Sequence, residues 1–178
     1  APTVLDHDAE QVAALRRFGF RVHYGDATRP DLLRTAGADT ARVLVVAIDD
    51  VEQSLKLVDL AREHFPHLVL VARARNVRHW FALRDRGVTL IERETLDASL
   101  ASARSVLEQL GWTPQEAGEL ATRFRAHSIE QLEQLWPHHR DEKLLVSMAR
   151  QGRRQLEELF AQERAARGEA RPSDPDEG

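Results

Sequence analysis

The sequence has no cysteine, one methionine and one tyrosine among its 178 residues. Without cysteine there is no disulfide framework, no thiolate zinc site and no catalytic thiol. No apolar run approaches the ~20 residues of a membrane-spanning helix, and the opening residues do not read as a signal peptide. Positive charge is not in excess: 25 Lys and Arg stand against 29 Asp and Glu, a formal net charge of −4. That balance argues against a nucleic-acid partner held by phosphate neutralisation. The eight histidines are scattered, and neither His64/His67 nor His138/His139 has a third ligand at helical spacing, so no metal site is expected. There is no Ser/His/Asp arrangement, no Tyr-xxx-Lys and no carboxylate pair set up for acid–base work, so the chain does not read as an enzyme. A glycine-rich phosphate loop and the strand that would precede it are also missing.

What is present is one repeated grammar, an apolar strand ending in an acidic or glycine-marked turn that enters a helix. It occurs at Thr3–Asp8, at Arg21–Thr28 and at Val43–Asp50. Parallel α/β sheets place ligands at the carboxyl ends of their strands, where these acidic groups fall. Strand and helix signals alternate to about residue 110. Strands are expected at Thr3–Leu5, Arg21–Tyr24, Val43–Ile48, Leu68–Ala72 and Val88–Ile91, the third buried on both faces. Asp8, Asp50 and Asn76 are suited to cap helices, the second with Leu55, Val58 and Leu60-Ala61 turned inward. Pro30 suits the first turn of another helix. Beyond Arg93 only helices are expected, Thr95–Leu110, Pro114–Leu135 and about Asp141–Arg167, before a Pro/Asp/Glu/Arg-rich tail that should be disordered. The expected division is a partial Rossmann-like domain with its following helix over 1–110, a helical extension over 111–167 and a disordered 168–178.

Several side chains could carry binding. Asp6 sits just past its strand, where a carboxylate can accept both hydroxyls of a ribose; the competing role is a helix cap, but Asp8 already fills it. Gly25-Asp26-Ala27-Thr28 offers a small-residue corner for an adenine ring, with Asp26 accepting from the exocyclic amine and Ile48 and Asp49 forming the opposite wall. Arg73 and Arg75 alternate with alanines, which turns one guanidinium toward a phosphate or carboxylate, or toward a salt bridge with Asp49 or Asp50. Arg93 lies between Glu92 and Glu94, where a solvated ion pair is the ordinary outcome.

Leu5-Asp6-His7-Asp8, Arg17-Phe18-Gly19, Tyr24-Gly25-Asp26-Ala27-Thr28, Ala47-Ile48-Asp49-Asp50, His64-Phe65-Pro66-His67-Leu68, Ala72-Arg73-Ala74-Arg75 and Glu92-Arg93-Glu94-Thr95 occur in a recognisable order. Together they resemble the cytosolic nucleotide-binding regulatory domain, of the potassium-conductance regulator or TrkA-N type, of the bacterial glutathione-gated potassium efflux (Kef) antiporters. The resemblance runs from about Thr3 to about Leu135 and weakly beyond.

The resemblance implies a Rossmann-like parallel sheet, here without its first strand and glycine loop, followed by a helical extension. It implies a homodimer on the cytoplasmic face of the inner membrane, attached to a transmembrane antiporter domain of the same parent protein. It also implies a flavin-dependent quinone reductase as ancillary partner. The expected ligands are an adenine nucleotide, AMP or NAD(H), and glutathione, whose adducts open the antiporter. Asp6, Asp26, Thr28 and Asp49 match the nucleotide crevice, Arg93 matches a glutathione-binding arginine, and Phe18 matches the aromatic displaced by bulky adducts. Ser128 stands where the family has a glutathione-binding asparagine. The absent strand is central in the usual order, so a hole is expected between the strands at Thr3 and Val43, with poor stability of the isolated chain. A nicotinamide-dependent oxidoreductase fragment and a stand-alone nucleotide sensor are the other readings.

Overall fold

A computed structural model of the chain describes residues 2–166. The expected disordered tail, 168–178, lies outside them. The described residues form two compact units that divide between Ala98 and Ser99. In the first, strands and helices alternate as β1 (Thr3–Asp6), α1 (Ala9–Arg17), β2 (Arg21–Tyr24), α2 (Pro30–Thr35), β3 (Val43–Val46), α3 (Val51–His64), β4 (Val69–Ala74), α4 (Val77–Asp85) and β5 (Leu90–Arg93). After them come α5 (Leu96–Gln109), α6 (Pro114–Leu135), a 3-10 turn at Trp136–His138 and α7 (Glu142–Ala166). The units divide near the start of α5, whereas the change in sequence character places α5 with the strands up to residue 110.

Local chemistry sets the helix starts. Asp8, Asp50 and Asn76 accept from the amides of Glu10 at 2.8 Å, Gln53 at 2.8 Å and His79 at 2.9 Å, satisfying donors the helix itself cannot. Pro30 opens α2, where its missing N–H has no partner to lose. Gly87 ends α4 at φ 74°, a left-handed conformation that glycine adopts without strain.

β1 and β2 pair in parallel, with Asp6 opposite Tyr24. β3, β4 and β5 form a second parallel sheet with β4 in the middle, Val46 opposite Ala72 and Ala74 opposite Arg93. No ladder joins β1 to β3, so the sheet is in two pieces and the break falls where the Rossmann order has its central strand. This is the expected hole.

Its consequence corrects one expectation. The run Val43–Ile48 was to be buried on both faces, but β3 stops at Val46, and Val45 is 63% exposed while Val46 is fully buried. A strand at the rim of a narrow sheet keeps one face in solvent. The interior of the three-stranded half is built from Val46, Leu57, Val58, Ala61, Phe65, Leu83 and Val88. Ser54 and Leu57 take interior places on α3, and Leu55 and Leu60 are only half-buried, so the inward face is turned from the expected one except at Val58 and Ala61.

In the second unit α6 begins with a reciprocal cap. Thr113 Oγ1 accepts from the Glu116 amide at 3.3 Å, and Glu116 Oε2 accepts from the Thr113 amide at 2.8 Å. α7 returns antiparallel to α6: Phe160 stacks on Phe124 with centroids 6.5 Å apart, and Gly152 lies under Gln131. A Cβ on Gly152 would fall 1.6 Å from Gln131 Nε2, so a larger residue there would push the two helices apart or displace Gln131.

Candidate functional site

The carboxyl ends of the five strands carry two clusters of polar side chains. At the end of β1, Asp6 Oδ1 accepts from the Asp8 amide at 2.9 Å. The Gly25 amide donates to the Asp6 carbonyl at 2.9 Å, which brings the β2 turn alongside. A Cβ on Gly25 would lie 2.5 Å from Leu32 Cδ1, so a side chain there would displace that methyl. Asp26 Oδ1 then accepts from the Thr28 amide at 2.8 Å. That backbone hydrogen bond is the chief cause holding the Asp26 carboxyl below its ordinary range, with Lys56 of α3 and His7 adding positive potential. The Thr28 hydroxyl is close enough to reinforce this electrostatically, yet it is buried and meets no acceptor in hydrogen-bonding geometry. Ala27 beside it is half-buried.

The second cluster lies at the ends of β3, β4 and β5. Arg73 was expected just after a strand, but β4 runs on to Ala74 and includes it. Its Nη2 donates to the Ala47 carbonyl at 2.7 Å and to Asp49 Oδ1, and its Nη1 lies 3.4 Å from Glu94 Oε1. Arg75 Nη1 donates to the Asp49 carbonyl at 3.0 Å. Of the two roles open to Arg73, the structure shows the salt bridge to Asp49. The Asp49 side chain is still 77% exposed, and Ile48 beside it is half-buried. Arg93 ends β5 opposite Ala74, and burial lowers the proton affinity of its guanidinium from the ordinary value.

The structure thus brings Asp6, Asp26, Ala27 and Thr28 together at one rim, and Ile48, Asp49 and Arg73 at the other. Phe18 stands apart from both: it is the C-cap of α1, at the opposite end of the strands, and is 79% exposed. Ser128 is half-buried on α6, in the other compact unit. Lys56, Glu94 and the backbone grip of Arg75 were not anticipated. Only the Arg-Ala alternation could have pointed to the last of these. Among the described residues no helix is long and apolar enough to cross a membrane.

Two family models match this chain, the TrkA-N domain over residues 2–93 and the potassium efflux system KefB C-terminal domain over residues 98–176. The glutathione-regulated potassium-efflux system protein KefC of Escherichia coli O157:H7 is 44% identical over 161 residues, covering 90% of this chain and 26% of that protein. This chain therefore spans about a quarter of the length of the curated relatives it matches. The Kef CTD of Shewanella denitrificans in its AMP-bound form is 33% identical with a TM-score of 0.66, covering 76% of this chain and 96% of that one. The TrkA-N domain of the Escherichia coli inner membrane protein YbaL shares the fold at 24% identity and a TM-score of 0.51, covering 61% of this chain and 78% of that one. The chain belongs to the regulatory-domain family of the Kef potassium-efflux systems, a non-enzymatic TrkA-N domain continued by a KefB C-terminal domain.

Proposed function

We propose that this chain binds an adenine nucleotide at the carboxyl rim of its parallel strands and glutathione or its adducts nearby, and so gates potassium/proton exchange by an attached membrane antiporter. The observation that carries the reading is the series of carboxylates at the ends of β1, β2 and β3, supplied by Asp6, Asp26 and Asp49. Such acceptors at strand ends suit the hydroxyls of a ribose and the exocyclic amine of adenine. AMP is favoured over NAD(H), because the related Kef CTD was captured with AMP.

Ribose would be held by Asp6, whose second carboxylate oxygen is not needed for the Asp8 contact. The adenine would lie against the Asp26–Thr28 corner, with Ile48 and Asp49 on its other side. Arg73 is fully engaged, so reaching a phosphate would mean exchanging its longest contact, that to Glu94 at 3.4 Å, for the ligand. Arg93 suits a glutathione carboxylate through bidentate donation. Ser128 would give one hydroxyl where an amide gives two kinds of group. In a homodimer Phe18, exposed at the end of α1, would be the side chain that bulky adducts displace. An adduct opens the gate only if it binds the displaced-Phe18 state better than glutathione does. The parent protein would sit in the bacterial inner membrane with this domain on the cytoplasmic side, assisted by a flavin-dependent quinone reductase.

Thermal unfolding with AMP, glutathione and both together tests the reading. Each ligand alone should raise the midpoint, and the pair should raise it further. No shift with AMP at concentrations far above those of ordinary nucleotide sites would count against it.

A further inference from the structure

His79 is among the most enclosed polar residues of the first unit, 1% exposed on the first turn of α4. Its ring Nδ1 accepts from the Arg75 amide at 3.2 Å, while Nε2 is buried with no hydrogen-bond partner. An accepting Nδ1 identifies the neutral ring, with its proton on Nε2. Burying a polar atom without a partner is costly, and an aliphatic side chain would fill the same volume without that cost. What an aliphatic side chain lacks is the acceptor for Arg75. That amide belongs to the residue whose guanidinium grips the Asp49 carbonyl at 3.0 Å, two residues after Arg73, which grips the Ala47 carbonyl at 2.7 Å.

We infer that His79 is a positioning residue of the nucleotide crevice: its neutral imidazole fixes the Arg75 backbone and, through Arg73 and Arg75, the Ala47–Asp49 rim, and its protonation releases them. The inference rests on the nucleotide reading of that rim and adds a proton-dependent control to it. A protonated ring would turn two donors, Nδ1–H and the Arg75 N–H, against each other.

The elements packed on α4 are β4, α3 and β5. Charged groups on these elements include Arg73 on β4, Asp59 on α3, whose partner Arg86 caps the far end of α4, and Glu92 and Arg93 on β5. Asp59 is taken up by Arg86 at 2.8 Å, and Glu94, just past β5, by Arg73. Both of these acids are thus paired with arginines. Burial first, then Arg73 and Arg86, hold His79 below its ordinary value near 6.5. The sign follows from that direction. Above the ordinary value neither folded nor unfolded chain carries this proton. As pH falls below it the unfolded chain takes the proton first and the fold loses stability, until the native ring is protonated too.

The test compares the full chain with His79→Asn, which keeps an acceptor but does not titrate, and His79→Leu, which keeps volume alone. Hydrogen exchange of the Arg75 amide and AMP affinity are measured from about pH 7.5 downward while the protein stays folded. At neutral pH His79→Asn should retain slow exchange, whereas in His79→Leu exchange should be about tenfold faster and AMP binding about three- to tenfold weaker. The ratio of wild-type to His79→Asn affinity should fall in acid, and titration of the AMP phosphate cancels in that ratio. Wild-type exchange and affinity in His79→Leu, or a ratio independent of pH, would overturn the inference. If the wild-type chain binds no AMP, the nucleotide reading fails, and exchange of the Arg75 amide alone still decides the role of His79.

Discussion

The two halves of the split sheet end in acidic residues alike, but they satisfy them differently. In the β1–β2 half the carboxylates of Asp6 and Asp26 are held by backbone amides at 2.9 and 2.8 Å. In the β3–β5 half Asp49 and Glu94 are held by Arg73, and Arg75 adds a second grip on the same turn. An amide-held carboxylate keeps its charge and most of its acceptor sites, so it can receive hydroxyls and amines. An arginine-held carboxylate is partly engaged, and its gain is a rim of defined shape. One half offers the acceptors and the other a fixed wall.

The halves differ in depth as well, and core truncation should expose that most strongly. Leu83→Ala, in the fully enclosed interior of the β3–β5 half, should cost about 4–5 kcal/mol, the upper part of the usual range for a buried leucine. Leu33→Ala, in the shallower half beside β2, should cost about 2–3 kcal/mol because fewer fixed walls keep its cavity open. Urea unfolding of both variants checks the contrast, and equal losses would erase it.

Removing the arginine clamp comes next. Arg73→Gln should lower stability by roughly 1 kcal/mol, since the side chain is partly exposed and its ion pairs are screened. Asp26→Asn, which keeps an oxygen for the Thr28 amide, should change stability by less than about 0.5 kcal/mol. The helix caps should not tell the halves apart: Asp8→Ala and Asp50→Ala should each cost about 1 kcal/mol by the same unfolding measurement. The smallest effect is one of pH. Because Asp26 is held below its ordinary value of 3.8, it contributes stability above that value and loses it as pH falls through the lower folded one. Acid titration followed by NMR should show the Asp26 carboxyl with a midpoint below that of aspartates in the unfolded chain.

Much of this was legible in the sequence. Asp8, Asp50, Asn76 and Thr113-Pro114 mark helix starts because capping is local chemistry, and those helices begin where expected. The later strands were read too early. β4 ends at Ala74 and β5 at Arg93, because the ladder that pairs Arg73 with Glu92 carries charged residues which, taken alone, look like turns. The exposure of Val45 follows from the break beside β3, which the missing strand foretold although the buried reading of that run ignored it. The acidic residues at the strand ends were visible as a pattern. Lys56, Glu94 and His79 were not, because each reaches the rim from another element, and no spacing along the chain records that.

The most direct measurement is calorimetric titration of AMP into the chain and into its Asp6→Asn/Asp26→Asn double variant. Loss of two charged acceptors from the rim should weaken binding by about a hundredfold or abolish it, with the unfolding midpoint almost unmoved. Affinity unchanged in the double variant would contradict the claim that the open carboxylates of the β1–β2 half seat the nucleotide.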